Sequence, residues 1–250
     1  MVAQPRDAST VVLLRDGAQG VETLMLRRAL TMKFAPGMHV FPGGRVDEAD
    51  YRRDVRFAGD DADHLAMRAS TDSPGIAALY SCAVRETIEE VDVDLAPIDE
   101  SGALVIHSTR LPLIDHWVTP EVESWRYDVR FFAAQVPEGG EPRLVTTEAD
   151  QATWLTPVAA LEEFRAGRLP MLPPTEAVLH YLREFDSVAD VLAAAVDRPI
   201  VPLLPRRLVD DDGQVQWVMV NARTDEILVA DARAPHSSEV DGVLGLGGLQ

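Results

Sequence analysis

Six residues, Arg85-Glu86-Thr87-Ile88-Glu89-Glu90, constrain this chain more than any other stretch. On a helix Glu86, Glu89 and Glu90 fall at i, i+3 and i+4, which puts three carboxylates on one face within a single turn. Like charges at that spacing oppose the helix unless a cation stands among them, and Arg85, one turn before Glu89, offsets only part of the repulsion. Converging carboxylates suit hard divalent cations, which prefer oxygen ligands. Tyr80, Ala83, Val84, Thr87, Ile88 and Val91 make the opposite, burial-prone face. Ser73 is the expected N-cap, Pro74 fits the first helical position, and Asp92 stands where the helix should stop. Taken alone, the run also fits a solvated acidic face.

Upstream, Phe41-Pro42-Gly43-Gly44 joins a rigid Pro to two permissive glycines, a loop whose backbone can approach a ligand or metal closely. Read together, the two stretches resemble the Nudix hydrolase signature, Gly-x5-Glu-x7-Arg-Glu-U-x-Glu-Glu-x-Gly-U, where U is bulky and apolar. Gly44 takes the first Gly, Asp50 the first Glu, Arg85, Glu86, Glu89 and Glu90 the central group, and Val93 the last U. The sequence departs from the pattern at Asp50 for Glu, Thr87 for U and Asp92 for Gly, and 34 residues separate Asp50 from Arg85. Asp tolerates a left-handed cap better than most residues, so Asp92 is a mild change. The long insertion is similar to the branch that includes peroxisomal coenzyme A diphosphatases. A segment upstream strengthens that likeness: Leu24, Arg28, Gly37 and Phe41 to Gly44 match the extra box of coenzyme A-directed Nudix enzymes, with Lys33 in place of an Arg.

The resemblance implies a Nudix fold, a mixed-sheet α/β/α sandwich over residues 8–196, with an insertion at 51–73. A β-rich extension and tail would occupy 197–250. It implies hydrolysis of a diphosphate linking a nucleoside to another group, with coenzyme A or acyl-coenzyme A as the expected substrate. ADP-ribose or NADH is the alternative within the class, and a non-catalytic nucleotide-binding module the alternative outside it. Glu86, Glu89, Glu90 and the backbone of Gly44 are the expected ligands of Mg2+ or Mn2+. Arg85 would hold the carboxylates. Glu148, which precedes Trp154-Leu155-Thr156-Pro157, is the expected further acidic residue near the metals, with Glu141 behind it. Arg28, Lys33, Gly43, Gly44 and Arg45 are the expected substrate contacts, Arg and Lys suiting the extra 3′-phosphate of coenzyme A.

A net charge of −18 argues against general binding to nucleic acid or to an anionic membrane. Against that background Arg27, Arg28, Lys33, Arg45, Arg52, Arg53 and Arg56 cluster near the motif, and Lys33 is the only lysine. Cys82, the only cysteine, excludes an intrachain disulfide, fits a reducing cytoplasm and reads as a buried, inert thiol. No targeting segment or run long enough to cross a membrane is evident.

Ser9 to Leu14 and Val21 to Leu26 are expected to pair as a hairpin, and Leu104 to His107 and Tyr127 to Val136 to be strands. The charged insertion reads as a surface excursion with a short helix from Asp61 to Arg68. His107, His116 and Trp117 fall in a stretch whose Pro112 and Pro120 predict loops. Val158 to Ala166 and Thr175 to Val196 show helical spacing. Beyond Pro199, short strands at Ile200 to Leu204, Gln214 to Val220 and Glu226 to Val229 should add to the sheet or form a homodimer contact, with Asp210 to Gly213 as a hairpin turn. Gly242 to Gln250 carries no targeting tripeptide.

Overall fold

A computed structural model describes residues 2–209 and 214–232. Asp210 to Gly213 and Gly242 to Gln250, read above as a turn and a tail, lie outside the described residues. The chain begins with β1 (Arg6–Gly17) and β2 (Gly20–Arg28), the expected antiparallel hairpin. β1 then becomes the centre of the fold. It pairs in parallel with β8 (Tyr127–Gln135) along nine residues, from Arg6 opposite Tyr127 to Leu14 opposite Gln135. Strands β3 (His39–Val40) and β9 (Ala149–Leu155) pair with β2, and β4 (Gly43–Arg45) with β1. On the other side of β8 come β7 (Leu113–Val118), β10 (Leu203–Val209), β11 (Val215–Asn221) and β12 (Ile227–Ala232). Among the described residues this sheet has ten strands.

The apolar run Val11 to Leu14 in the middle of β1 follows from burial on both faces. Val12 and Leu14 join one core, with Met25, Phe131, Leu161, Val178 and Val191, under α4 (Pro157–Arg165), α5 (Pro173–Leu182) and α6 (Val188–Val196). Val11 and Leu13 join the other, with Leu24, Phe132, Ile76, Tyr80 and Val84. This second core lies against α2 (Ala62–Arg68) and α3 (Ser73–Val91). The result is the expected three-layer sandwich.

Several expectations need correction. Asp72, not Ser73, caps α3, its carboxylate accepting from the Gly75 N–H at 2.8 Å. Ser73 instead bonds Asp63. Ile88, assigned to the buried face, is 40% exposed, while its neighbours Thr87 and Val91 on that face are fully buried. The stretch with Pro112 and Pro120 is not loop throughout: it contains β7, an internal strand paired with both β8 and β10. The Asp115-His116 pair masked its apolar pattern, and the register shifts there. The helix expected from Thr175 to Val196 is two helices, broken where Ser187 caps α6 by accepting from the Asp190 N–H. The insertion is no mere surface excursion. Leu65, Ala66 and Ala69 enter the core, and β5 (Val55–Phe57) pairs in parallel with β6 (Leu104–Ile106). The tail strands extend the sheet, with Leu203 of β10 beside Trp117 of β7.

The insertion is pinned by Arg130, whose guanidinium is 2% exposed. It donates to the Ala69 carbonyl at 3.0 Å and to Asp7 at 2.6 Å, and lies 3.0 Å from Asp128. Removing one partner of such a pair strands the others. Arg130→Ala should therefore cost about 3 kcal/mol, the low end for buried pairs because Asp7 and Asp128 reach solvent; urea unfolding at neutral pH measures it.

His116 is buried against Asp128, and Asp115 and Arg130 also act on it. Burial lowers its pKa below the ordinary 6.5 and outweighs the hydrogen bond to Asp128, which raises it. The unfolded chain then binds a proton that the folded chain resists, so this contribution to stability is present above pH 6.5 and is lost as pH falls. His116→Asn should flatten the stability slope between pH 7 and pH 5 relative to the unaltered chain, as measured by urea midpoints.

Candidate functional site

α3 carries the acidic run, and its first turn is set by Asp72 and by Pro74. It ends at Asp92, which adopts φ 57° and ψ 38°, the left-handed cap expected of it. Within the helix Arg85 is the hub. Its Nε and Nη2 reach the two oxygens of Asp50 at 3.1 and 2.8 Å, a forked, charge-assisted contact. Nη1 donates to Glu86 at 2.6 Å and to Glu89 at 3.1 Å, and Nη2 also reaches the Arg45 carbonyl. Asp50 sits in α1 (Glu48–Arg52), is 2% exposed, and also accepts from the Ser81 hydroxyl and the Asp47 N–H. Half-burial disfavours the charged guanidinium, but Asp50 and Glu86 outweigh it and raise the pKa of Arg85.

β4 brings the two glycines against this helix. The Gly43 N–H donates to Glu90 at 2.9 Å. A Cβ on Gly43 would strike the Ser9 carbonyl and the Thr10 backbone, so that position admits no side chain, whereas one on Gly44 would meet the end of the Glu86 side chain, which would have to move. Burial, reinforced by Glu86 and Glu148 and opposed by the Gly43 N–H and Arg28, pushes the Glu90 carboxyl up to about 8. Burial likewise raises Glu86, against the pull of Arg85. Cys82 is buried one turn before Glu86 with its thiol 3.5 Å from the Gly44 carbonyl. Burial first, then the nearby Glu86 and Asp50 charges, push that thiol up to about 12, which makes it the inert group expected.

Beside the glycines opens a cleft of about 650 Å³. Arg28, Lys33, Gly43, Gly44, Arg45 and Glu148 all line it, so the sequence-derived contact residues come together. Arg28 is fixed by donation to the Phe34 carbonyl, and Arg45 by Asp47. The Glu148 carbonyl accepts from Ala29, which docks its loop on the end of β2. Glu141 lies elsewhere, in a separate depression with Arg15 and Trp154. The aromatic part of the cleft wall escaped the sequence reading. Phe34, Trp117, Trp125, Tyr127 and Phe131 reach it from four different segments, and no local pattern unites them.

No protein-family model matches the chain. The crystal structure of a Nudix hydrolase from Alicyclobacillus acidocaldarius superposes with a TM-score of 0.63 at 31% identity, over 77% of this chain and 97% of that one. The chain belongs to the Nudix hydrolases, enzymes of the diphosphate bond. A Caenorhabditis elegans protein named nudix hydrolase 7 is 26% identical over 68% of this chain, and the chain spans 57% of its length. Acyl-coenzyme A diphosphatase NUDT19 of Gallus gallus is 25% identical over 84% of this chain and 77% of its own length.

Within a Nudix hydrolase the Asp50–Arg85 contact means that the insertion leaves the two halves of the motif joined in space. Divalent metals are general to the family. Among the described residues, no three acidic, imidazole or thiol side chains form a finished metal cage. Arg85 occupies Glu86 and Glu89, and Gly43 occupies Glu90. The donor set nevertheless fits a hard cation. It is all oxygen, Glu86 and Glu90 are carboxyls whose burial raises their pKa against the cation and N–H donors beside them, and Gly44 packs directly against the Glu86 carboxylate. Gly43→Ala should press on the β1 backbone at Ser9 and Thr10 and cost about 1–3 kcal/mol of stability, which urea unfolding would register.

Proposed function

We propose that this Nudix hydrolase cleaves the diphosphate of coenzyme A or an acyl-coenzyme A, giving 3′,5′-ADP and phosphopantetheine or its acyl form. The observation that carries the proposal is that Arg28 and Lys33 share one cleft with Gly43, Gly44 and Glu148, beside the buried Glu86 and Glu90. These cations come from the segment that resembles the coenzyme A box, and their charge suits a substrate with a 3′-phosphate besides its diphosphate. The Gallus gallus relative, named as an acyl-coenzyme A diphosphatase, supports the same reading.

In this proposal Glu86, Glu89, Glu90 and the Gly44 carbonyl hold Mg2+ or Mn2+. Such an ion would neutralise the diphosphate and lower the pKa of the attacking water. Arg85, anchored by Asp50, sets the spacing of Glu86 and Glu89 and takes no part in bond breaking. Glu148 accepts the proton as a water oxygen attacks one phosphorus. The P–O bond to the bridging oxygen breaks, and that oxygen leaves on the second phosphate. Arg28, Lys33 and Arg45 orient the anionic substrate, and the tight fit of Gly43 and Gly44 lets backbone stand beside it.

Mass spectrometry of products decides between substrates. With Mg2+ or Mn2+ and a panel of coenzyme A, acetyl-coenzyme A, ADP-ribose, NADH and a nucleoside triphosphate, 3′,5′-ADP should appear well ahead of other products. Preferred cleavage of ADP-ribose or NADH would discard the coenzyme A reading, and no turnover with either metal would favour a binding module. Glu90→Gln should lower kcat/KM roughly 100-fold; activity within about twofold of the unaltered chain would sink the metal assignment.

A further inference from the structure

The cleft is larger and less polar than a diphosphate and its cations require. Its charged lining residues are Arg28, Lys33, Arg45 and Glu148, and the rest of the wall is neutral. Trp117, Trp125, Tyr127, Phe131, Leu172 and Pro205 give it rings and aliphatic surface drawn from β7, the segment after it, β8, the entry to α5, and β10. The C-terminal strands therefore help to build the cleft. Arg206, next to Pro205, lies 3.5 Å from Glu121 and 2.8 Å from Asp225. Glu121 stands in the segment between β7 and β8 that carries Trp125, so the extension also braces that segment. Phe34 meets Tyr127 edge-on, with ring centres 5.7 Å apart, and links the Lys33 loop to the same wall.

Apolar surface rewards apolar ligand in proportion to the area removed from water. The phosphates, ribose and amides of coenzyme A gain little from such a wall, adenine can stack on part of its rings, and the pantetheine methyls and methylenes cover only a short stretch. The hydrocarbon of an acyl group is flexible and can follow surface contributed by several elements. We propose that the neutral wall around Trp125, Tyr127 and Pro205 seats the acyl chain, so that the enzyme selects acylated over free coenzyme A. This rests on the coenzyme A reading above and adds to it a specificity determinant, Trp125, a residue that is 56% exposed.

The test is kcat/KM for coenzyme A and its acetyl, butanoyl and octanoyl thioesters, read as 3′,5′-ADP release, on the full chain and on Trp125→Ala and Trp125→Leu. Octanoyl-coenzyme A should exceed acetyl-coenzyme A by roughly tenfold or more, since each buried methylene contributes up to about fourfold. Trp125→Ala should shrink that ratio, and Trp125→Leu, which keeps apolar surface, should retain most of it. Cleavage of coenzyme A with efficiencies within about twofold across the series would overturn the acyl seat and leave the coenzyme A reading standing. Cleavage of ADP-ribose or NADH with no 3′,5′-ADP from any thioester would overturn both. If Trp125→Ala does not fold, the chain-length series and Trp125→Leu still decide.

Discussion

The fork between Arg85 and Asp50 is the contact on which the acidic site depends. Three carboxylates on one helical turn repel one another, and a cation must hold them before any metal arrives. Arg85 does so at Glu86 and Glu89, but a lone guanidinium there could swing between several acids. Asp50, buried in α1 and itself held by Ser81 and the Asp47 N–H, fixes its orientation. A shorter acid than the signature Glu suffices because α1 is drawn close to α3. The cost of burying these charges is met by hydrogen bonds on both partners, the condition under which a buried pair is tolerable.

The sheet supplies the rigid frame for this contact. β1 buries alternate side chains in two cores, and β4 lies along it, so the two glycines are held to backbone that cannot shift without disturbing both layers. Loops and helix ends then complete the cleft. The positions that need mutual precision, Gly43 to Glu90 and Gly44 to Glu86, sit on the frame, whereas the aromatic wall draws on segments at its margin.

Much of the acidic site was legible because its information is local. One helical turn places Glu86, Glu89 and Glu90, and the Phe41 to Gly44 loop and the left-handed Asp92 cap announce themselves by composition. The Nudix pattern also survived the 34-residue interruption, since Asp50 keeps its charge. What stayed hidden depends on contacts between distant parts. β7 was obscured by Asp115 and His116: the imidazole is matched across the sheet by Asp128, and the Asp115 carboxylate accepts from the His116 N–H. The break between α5 and α6 lies inside a continuous helical pattern, and only the Ser187 cap marks it. Arg130 gives no local sign that it ties the insertion to the sheet, and Trp125 none that it faces the same cleft as Arg28.

The parallel pairing of β1 with β8 also sets an order for synthesis. β1 leaves the ribosome well before β8, and Arg6 meets Tyr127 only after more than a hundred intervening residues. Until then β1 can close on β2 and β4, which leaves the edge bearing Val11 to Leu14 without its partner. Such an edge is apolar, unpaired and prone to join other chains. The nascent chain must pass through a stage in which a strand buried on both faces of the finished sheet has an open edge.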